Sequence, residues 1–261
     1  MDRLDDTPRT FPVALDLGSH TGQVAEALIA RTGIEFVLSS DLSERMARLA
    51  AERGIAALVA DEEALPFRPA SCDLVLSALS LHWVNDLPGT LVQIRNTLKP
   101  DGLFLGAMFG AGTLQELRTS LIEAETELTG GVAPRVSPLP GLQDVAGLMQ
   151  RTGFALPVVD LDTVEVSYAA PQRLLADLGG MGERAAFFGG ARPLRRDVLA
   201  LAVDLYKARY AGPDGRVRAT FEIIHLAGWA PGPDQPQPKR RGSGQISLAT
   251  VFSSPKPDTR S

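Results

Sequence analysis

The chain has 261 residues, a formal net charge of −5 and 44% hydrophobic residues, which is typical of one large globular domain, or of a domain with an elaboration. The negative charge gives no general attraction to nucleic acid or to an anionic membrane. The single cysteine, Cys72, excludes an intrachain disulfide and a cysteine-based zinc cluster. Because no apolar run could span a bilayer and the amino terminus is acidic, we expect no membrane insertion and a cytoplasmic location.

The first predicted elements are a strand, a glycine-bearing turn and a helix. Residues 13–17 form an apolar run that is too short for a helix and stops at Gly18, which predicts a buried strand. Residues 23–30 predict a helix. Its apolar residues at helical spacing are Val24, Ala27 and Leu28. Such a turn directs backbone N–H groups and the positive end of the helix at one pocket, which is typical of a site for a nucleotide-like cofactor.

The positions of the glycines in this turn distinguish between the candidate cofactors. A dinucleotide site has the pattern G-x-G-x-x-G, but here His20 stands at the position of the middle glycine. A P-loop needs Gly-Lys-Ser/Thr, which does not follow this turn. The pattern that is present is D-x-G-x-x-x-G, formed by Asp16, Gly18 and Gly22. An acid on the strand suits a ligand that bears an ammonium group rather than a phosphate. The alternative is that Asp16 only caps the following helix.

Two further predicted strands are followed by acids. Residues 35–41 end at Asp41, about twenty residues beyond the glycine turn, where a doubly wound fold presents a carboxylate to ribose hydroxyls. Alternatively, Asp41 caps the helix that begins near residue 43. Residues 55–60 precede Asp61, where an adenine amino group needs an acceptor. Because the carboxyl ends of parallel strands meet at one edge of a sheet, Asp16, Asp41 and Asp61 are expected to face one crevice.

The alternation of strands and helices continues along the chain, which predicts an α/β fold with a doubly wound parallel sheet. The later predicted strands are residues 72–77, 103–109, 157–166 and 218–226, the last of them antiparallel. The later predicted helices are residues 90–98, 113–129, 142–152 and 171–212. Residues 99–102 predict a helix end and turn. We expect Gly179-Gly180 and Gly189-Gly190 to interrupt the last helical stretch, and the proline-, charge- and serine-rich tail at 231–261 to be disordered.

Several motifs, in order along the chain, resemble class I S-adenosylmethionine-dependent methyltransferases. They are Leu15–Gly18 with Gly22, Asp41, Asp61–Phe67, Asp73–Val75, Leu81–Trp83 and Leu98–Gly102. Within this match, Leu81–Asp86 resembles the branch that holds the biotin-pathway carboxyl methyltransferases and the mitochondrial complex I assembly factor 5 group. The segments 135–138, 153–160 and 221–231 are similar to bacterial relatives of that assembly-factor group, whose members are associated with hydroxylation of an arginine on a complex I subunit.

The resemblance implies a Rossmann-like, mostly parallel seven-stranded sheet with S-adenosylmethionine as cofactor. It implies a short polar lead at 1–11, a cofactor-binding core at 12–130, acceptor-side helices and last strands at 131–230 in the same domain, and then the tail. The implied cofactor-binding residues are Asp16, Gly18, Ser19, His20, Gly22, Asp41, Leu42, Met46, Asp61, Glu62, Ser77 and Leu79. Asp16 reaches the ammonium, Asp41 holds the ribose, and Asp61 with the Glu62 backbone reads the adenine edge. Met46 alternatively fills the core.

Two features depart from the family pattern. Members mostly carry glycine where His20 stands, and a left-handed backbone at a non-glycine residue is disfavoured by about 1–2 kcal/mol. We therefore expect a different turn or a narrower crevice at His20. Members also usually carry a helix or two before the first strand, so the short lead predicts either a shortened gene product or a more open crevice that binds the cofactor less tightly.

His82 and Trp83 are the candidate catalytic residues at the mouth where an acceptor arrives. His82 either orients or deprotonates the acceptor or is a packed wall residue, and Trp83 either faces an acceptor cation or fills the core. No pattern of two histidines and one carboxylate predicts a metal site. Three functions stay open: methyl transfer to a small molecule or a protein side chain, hydroxylation of protein arginine on the same fold with a complex I subunit as partner, and non-catalytic assembly of a protein complex.

Overall fold

The structure, a computed structural model, describes residues 2–5, 7–133, 135–183, 193–233, 235–236 and 243. Residues 1–231 form one compact unit, and residues 232–261 form a second one that consists mostly of residues outside the described ranges. The predicted disorder of the tail and the predicted interruption at Gly189-Gly190 therefore lie outside what the structure describes.

Within the described residues of the first unit, seven strands form one sheet. They are β1 (Val13–Leu17), β2 (Phe36–Asp41), β3 (Ala56–Val59), β4 (Cys72–Ala78), β5 (Leu98–Phe109), β6 (Ala155–Tyr168) and β7 (Val217–Trp229). Their order is β3-β2-β1-β4-β5-β7-β6. The pairs from β3 through β5 are parallel, whereas β7 runs antiparallel to both β5 and β6. The predicted fold class, with its antiparallel last strand, is confirmed.

Seven α-helices connect these strands in the described part of the chain. They are α1 (Gln23–Ile29), α2 (Glu44–Glu52), α3 (Leu87–Thr97), α4 (Gln115–Thr129), α5 (Leu142–Arg151), α6 (Pro171–Met181) and α7 (Arg196–Tyr210). A 3-10 turn, Leu81–Trp83, follows β4. Polar residues cap two helix starts, since Ser43 accepts from the Met46 N–H and Asp86 accepts from the Gly89 N–H. Among the described helices, none has the length and apolar character needed to cross a membrane.

Apolar residues cover both faces of the sheet and extend past its carboxyl edge. One face is buried with α1 through residues such as Leu28 and Leu74, and the other is buried with α3 and α5 through residues such as Leu91 and Met149. A third cluster joins α4, α6 and α7 to the end of β5. Its members include Phe109, Leu117, Leu174, Leu178, Tyr206 and Phe221. Because Phe109 is the last residue of β5, this third cluster lies next to the strand ends.

The predicted turn at residues 99–102 is instead part of β5. Leu98 pairs with Cys72 and the next pair joins Leu103 to Leu74, so several residues of β5 lie opposite one residue of β4. This arrangement is a bulge. Pro100 has no N–H to donate and is tolerated at such a site, which explains why the sequence pattern resembles a turn.

The predicted interruption at Gly179-Gly180 is also wrong. α6 continues through both glycines and ends at Gly182, which takes a φ of 83°. Leu174 and Leu178 are buried on one face of α6. This packing keeps the helix intact across the two glycines, and the left-handed conformation that ends a helix is taken at the third glycine.

Near the amino terminus, the buried residues differ in two ways from those predicted from the sequence. Ala25 and Leu28 form the buried side of α1, whereas Ala27 is exposed. The segment expected as a polar lead contributes Leu4 and Phe11, both about 6% exposed, to the core that covers the α1 face. Seven residues of α1 make only two turns, too few for the spacing of alanines to identify the buried side.

Candidate functional site

The turn after β1 is fastened to the end of β2. The N–H of Ser19 donates to the carbonyl of Ser40 at 2.9 Å, and the N–H of His20 donates to Oδ2 of Asp41 at 2.8 Å. His20 takes the left-handed conformation, with a φ of 51°, so the expected change of turn is not found. The hydrogen bond to Asp41 offsets part of the backbone cost at His20.

Glycine is required at Gly18 and Gly22 for two reasons. Both residues have a positive φ, 67° and 83° respectively. A Cβ on Gly18 would lie 2.1 Å from Oγ of Ser80, and a Cβ on Gly22 would lie 2.5 Å from Cδ1 of Ile55. At these two positions a side chain would meet both backbone strain and a steric clash, which favours glycine.

A buried hydrogen bond closes one side of this turn. The hydroxyl of Ser80 donates to Oε1 of Glu62 at 2.7 Å, and both residues are at most 9% exposed. The resemblance assigned the backbone of Glu62 to adenine, and its side chain is directed at Ser80 beside Gly18. The role of Ser80 was missed, because 18 residues separate it from Glu62 and no local pattern joins them.

The two carboxylate oxygens of Asp16 have different surroundings. Its Oδ2 accepts the N–H of Ala25 in the first turn of α1 at 3.1 Å, so it caps that helix. Its Oδ1 is buried and has no hydrogen-bond partner among the described residues. Burial raises the pKa of Asp16 to about 7, the Ala25 N–H opposes this rise, and the charge of Asp41 adds to it. Asp16 is thus a carboxyl that gains from a cationic ligand.

Asp41 is held by the backbone with both of its oxygens. Oδ2 accepts from His20, and Oδ1 accepts from the N–H of Ser43 at 2.8 Å. Ser43, rather than Asp41, is the residue that caps α2. Each carboxylate oxygen retains a lone pair for a further donor. Leu42 beside it is 62% exposed, and Met46 is half-buried in the first turn of α2.

Asp61 lies at the neighbouring strand end. Asp41 pairs with Val59 in the sheet, and the N–H of Ala60 donates to the carbonyl of Asp41 at 3.1 Å. The Asp61 side chain is exposed, and its Oδ1 accepts from the N–H of Glu63 at 2.8 Å. The ends of β1, β2 and β3 therefore meet at one edge, as the sequence predicts.

Buried polar atoms without partners gather at this edge. Within the described residues, these atoms include Oδ1 of Asp16 and the hydroxyl oxygens of Ser19, Ser40 and Ser77. Leaving a buried polar group unpaired costs about 1–3 kcal/mol. A carboxylate and three hydroxyls that lack partners fit a polar ligand able both to donate and to accept, such as the amino-acid end of S-adenosylmethionine.

Leu79 leads from this edge toward the third cluster. It takes a φ of 55°, and its N–H donates to the carbonyl of Ala107 at 2.7 Å. Its half-buried side chain packs against the cluster that contains Phe109. The short segment from Ser77 to His82 therefore connects the strand-end edge with the next cavity.

That cavity lies between the 3-10 turn and the third cluster. Its lining residues are His82, Trp83, Phe109, Thr113, Leu114, Val136, Ser137, Leu139, Leu178, Glu183 and Phe221. Its volume of about 60 Å³ holds about four water molecules, or a planar group of similar size. The walls are mostly apolar, with His82 and Glu183 as ionisable groups.

His82 and Trp83 occupy different positions in this cavity. The His82 side chain is 4% exposed, its ring centroid lies 4.8 Å from that of Phe109, and its Nε2 lies 3.2 Å from Glu183. Trp83 is 40% exposed, which places it at the mouth. In the described part of the chain, no group of three or more His, Cys, Asp or Glu residues is arranged to hold a metal ion.

Sequence comparisons agree with this architecture. Residues 15–106 match the family described as Methyltransferase domain. The arginine-hydroxylase NDUFAF5, mitochondrial, of Danio rerio is 44% identical over 252 residues, which cover 96% of this chain and 78% of that protein. The chain belongs to the NDUFAF5 family. The resemblance to class I methyltransferases and to the complex I assembly factor 5 group is confirmed, and the chain is an S-adenosylmethionine-dependent methyltransferase-like enzyme by family and fold.

This chain is also similar to proteins outside the NDUFAF5 family. A malonyl-[acyl-carrier protein] O-methyltransferase from Methylovorus sp. (strain MP688) is 32% identical over 244 residues, covering 88% of this chain and 79% of that protein. A solved methyltransferase structure from Bacillus halodurans C-125 shares the fold, with a TM-score of 0.63 at 15% identity, over 88% of this chain and 96% of that one.

The two parts of the site differ in how they relate to the methyltransferase match. All the predicted cofactor residues, together with His82 and Trp83, lie inside residues 15–106. Phe109, Glu183 and Phe221, which line the cavity, lie outside that range. In this NDUFAF5 family chain, the segment common to methyltransferases carries the strand-end edge, and the remainder of the chain supplies much of the cavity wall.

Proposed function

We propose that this NDUFAF5 family protein binds S-adenosylmethionine at the strand-end edge and methylates an acceptor held in the cavity of His82 and Trp83. The observation that carries the proposal is the set of buried, unpartnered polar atoms on Asp16, Ser19 and Ser77, with Ser40 beside them. When bound, the cofactor supplies an electrophilic methyl carbon on a sulfonium sulfur.

Two of the strand-end acids have distinct parts in this proposal. Ionised Asp16 accepts hydrogen bonds from the ammonium group of the cofactor. The positive charge of that group compensates for the cost of burying the carboxylate. Asp41, held by two backbone N–H groups, accepts from the ribose hydroxyls with its remaining lone pairs. The exposed side chain of Leu42 beside Asp41 offers an apolar surface to the adenine ring.

The connection between edge and cavity supports a transfer reaction. Ser77 stands at the edge and His82 at the cavity, so one short, ordered segment positions both ends. In-line displacement needs the acceptor atom about 3–3.5 Å from the methyl carbon with water excluded. An acceptor that fills the mostly apolar cavity displaces the water from it, and Trp83 at the mouth contacts an entering acceptor.

Calorimetry tests the cofactor part directly. S-adenosylmethionine and its demethylated product are titrated into the full chain, and micromolar binding of both is expected, about −8 kcal/mol. Absence of binding by either ligand at millimolar concentration contradicts the proposal. Glu52→Gln, which removes one negative charge from the exposed end of α2, is the control and is expected to bind like the wild type.

A second function is favoured by the 44% identity to a protein named arginine-hydroxylase. Hydroxylation replaces a C–H bond of arginine by C–OH. With molecular oxygen as the oxidant, one oxygen atom enters the product, and the other leaves as water after a reductant supplies two electrons and two protons. The resemblance to the complex I assembly factor 5 group makes an arginine-bearing segment of a complex I subunit the candidate partner. Mass spectrometry of an arginine peptide separates the two functions, because methylation adds one CH2 and depends on S-adenosylmethionine, whereas hydroxylation adds one oxygen atom and depends on oxygen.

A further inference from the structure

Glu183 and His82 form a pair in the wall of the cavity. The carboxylate oxygens of Glu183 lie 3.3 and 3.2 Å from Nε2 of His82, and the two side chains are 14% and 4% exposed. The residues are 101 positions apart in the chain. The pair therefore joins the segment after β4 to the residue that follows the end of α6, in the wall of the cavity.

The backbone holds Glu183 at this point. Gly182 turns the chain at the end of α6 with a φ of 83°, and the N–H of Glu183 donates to the carbonyl of Leu178 at 2.9 Å. A Cβ on Gly182 would lie 3.9 Å from Cε1 of His20, so the same corner comes close to the turn after β1. The Glu183 carboxylate is thus carried by a hydrogen-bonded helix end.

Two aromatic neighbours restrict the ring of His82 without setting its protonation. The ring centroid of Phe109 lies 4.8 Å away and that of Trp83 lies 5.6 Å away. These contacts favour one ring plane but do not distinguish the two nitrogens. Only the hydrogen bond to Glu183 distinguishes them among the contacts that the structure describes.

The chemistry of the pair determines which nitrogen carries the proton. An ionised carboxylate only accepts hydrogen bonds, so Nε2 of His82 must donate to Glu183. In the neutral ring, Nδ1 is then an acceptor. Nδ1 is buried and has no partner in the described part of the chain, whereas most buried side-chain polar atoms have a hydrogen-bond partner.

We infer that Glu183 is a positioning residue that fixes the tautomer of His82 and leaves Nδ1 to accept a hydrogen bond from an N–H or O–H group of the acceptor. This inference rests on the proposed function for the identity of the occupant. It also assigns a preference, because an ionised carboxylate in the cavity has no hydrogen to offer Nδ1 and is repelled by Glu183.

Nitrogen NMR of the full chain tests the tautomer without any acceptor. The chain has three histidines, and a His82→Phe spectrum identifies the His82 signals. We expect a protonated Nε2 and an unprotonated Nδ1 in the wild type, and a mixture of tautomers in Glu183→Leu, which fills similar space and cannot accept. A proton on Nδ1 of the wild type, or an unchanged His82 pattern in Glu183→Leu, overturns the inference.

The control is a similar pair elsewhere in the sheet. Nε2 of His225 on β7 lies 3.1 Å from Oδ2 of Asp162 on β6. Asp162→Leu is expected to alter the His225 signals and to leave those of His82 unchanged. A change at His82 in this variant shows that the signals respond to distant substitutions, and the inference then fails.

Turnover separates this inference from the proposed function. With labelled S-adenosylmethionine and an arginine peptide as acceptor probe, kcat/KM is expected to fall about 10- to 100-fold in Glu183→Leu. Glu183→Gln, which keeps a carbonyl acceptor, is expected to restore part of this loss, and the Kd for S-adenosylmethionine is expected to stay within about twofold in both. Wild-type turnover by Glu183→Leu overturns the positioning role, whereas failure of the wild type to bind S-adenosylmethionine overturns the proposed function and leaves the tautomer result decisive for Glu183.

Discussion

The carboxylate of Asp41 accepts a hydrogen bond from the backbone N–H of His20 at 2.8 Å, which ties the end of β2 to the turn after β1. An asparagine at position 41 offers one acceptor oxygen where the carboxylate offers two, so one of the two backbone N–H groups that Asp41 satisfies loses its partner.

Asp41→Asn is therefore expected to weaken S-adenosylmethionine binding at least about tenfold, because hydrogen bonds to charged groups contribute about 1.5–3 kcal/mol. Calorimetry measures the affinity, and chemical unfolding measures the accompanying loss of stability, about 1 kcal/mol. Glu52→Gln again serves as the control for the loss of one charge, and an equal loss of affinity in both variants would show that Asp41 makes no specific contact.

Asp16 predicts an unusual dependence of stability on pH. Burial raises the pKa of Asp16 from 3.8 to about 7 in the folded chain, so between these values the folded state holds a proton that the unfolded state has lost. The free energy of unfolding contributed by this group is therefore full below pH 4 and is lost as the pH rises through 7. Asp16→Asn cannot ionise, so its free energy of unfolding is expected to rise relative to that of the wild type as the pH increases from 4 to 7. The expected relative gain is up to about 4 kcal/mol. Urea unfolding at several pH values measures the difference, and parallel curves for the two proteins would contradict it.

The same carboxyl predicts a pH dependence of cofactor binding in the opposite direction. A protonated Asp16 cannot pair with an ammonium group, so the affinity for S-adenosylmethionine is expected to fall as the pH is lowered through about 7, by up to about tenfold for each pH unit. Asp16→Asn is expected to bind more weakly at pH 8 and to lack this dependence. Calorimetry at pH 6, 7 and 8 makes the comparison. A wild-type affinity that is constant over this range would contradict the pairing of Asp16 with the ammonium group.

Gly18→Ala is expected to destabilise the chain more than a glycine substitution that introduces backbone strain alone. The added Cβ meets Ser80 at 2.1 Å while the backbone keeps a φ of 67°, so the clash adds to the backbone strain, for a total of about 2–4 kcal/mol. Gly54→Ala is the matched control, since Gly54 has a φ of 81° and open space around it, and its expected cost is about 1–2 kcal/mol. Thermal or urea unfolding compares the two, and equal losses would mean that Ser80 moves aside freely.

His20→Gly separates the backbone of His20 from its side chain. The left-handed φ of 51° is less costly for glycine, so the free energy of unfolding is expected to rise by up to about 1 kcal/mol. The N–H that reaches Asp41 is retained, and the affinity for S-adenosylmethionine is therefore expected to stay within about threefold of the wild type. A loss well beyond that range in calorimetry would assign the cofactor contact to the imidazole.

Much of the cofactor edge could be predicted because its signals are local in sequence. The apolar run of β1, the glycines that stop it and the acids at the ends of β1 and β2 lie within about thirty residues. In a parallel sheet, such strand-end residues meet at one edge whatever the details of the packing. The positions of Asp16, Gly18 and Asp41 follow from these rules, while the roles assigned to them in cofactor binding stay predictions.

The cavity could not be predicted in the same way. Glu183 reaches His82 across 101 residues, and Ser80 fills the space beside Gly18 only because the loop after β4 returns over the first turn. No periodicity or motif spacing in the sequence predicts either contact. The bulge at residues 99–102 and the continuation of α6 through Gly179-Gly180 likewise depend on neighbours in the sheet and the core.

The position of β7 has a consequence for synthesis of the chain. Among the described residues, β7 is the last strand to be made, yet it lies between β5 and β6, so β6 has no neighbour in the sheet until residues 217–229 have emerged from the ribosome. The segment 13–83, which holds the predicted cofactor residues, can pair its strands well before that point, whereas Phe221 must arrive before the cavity has its full wall. A nascent chain of this protein is therefore expected to pair the strands of the strand-end edge first and to complete the cavity wall last.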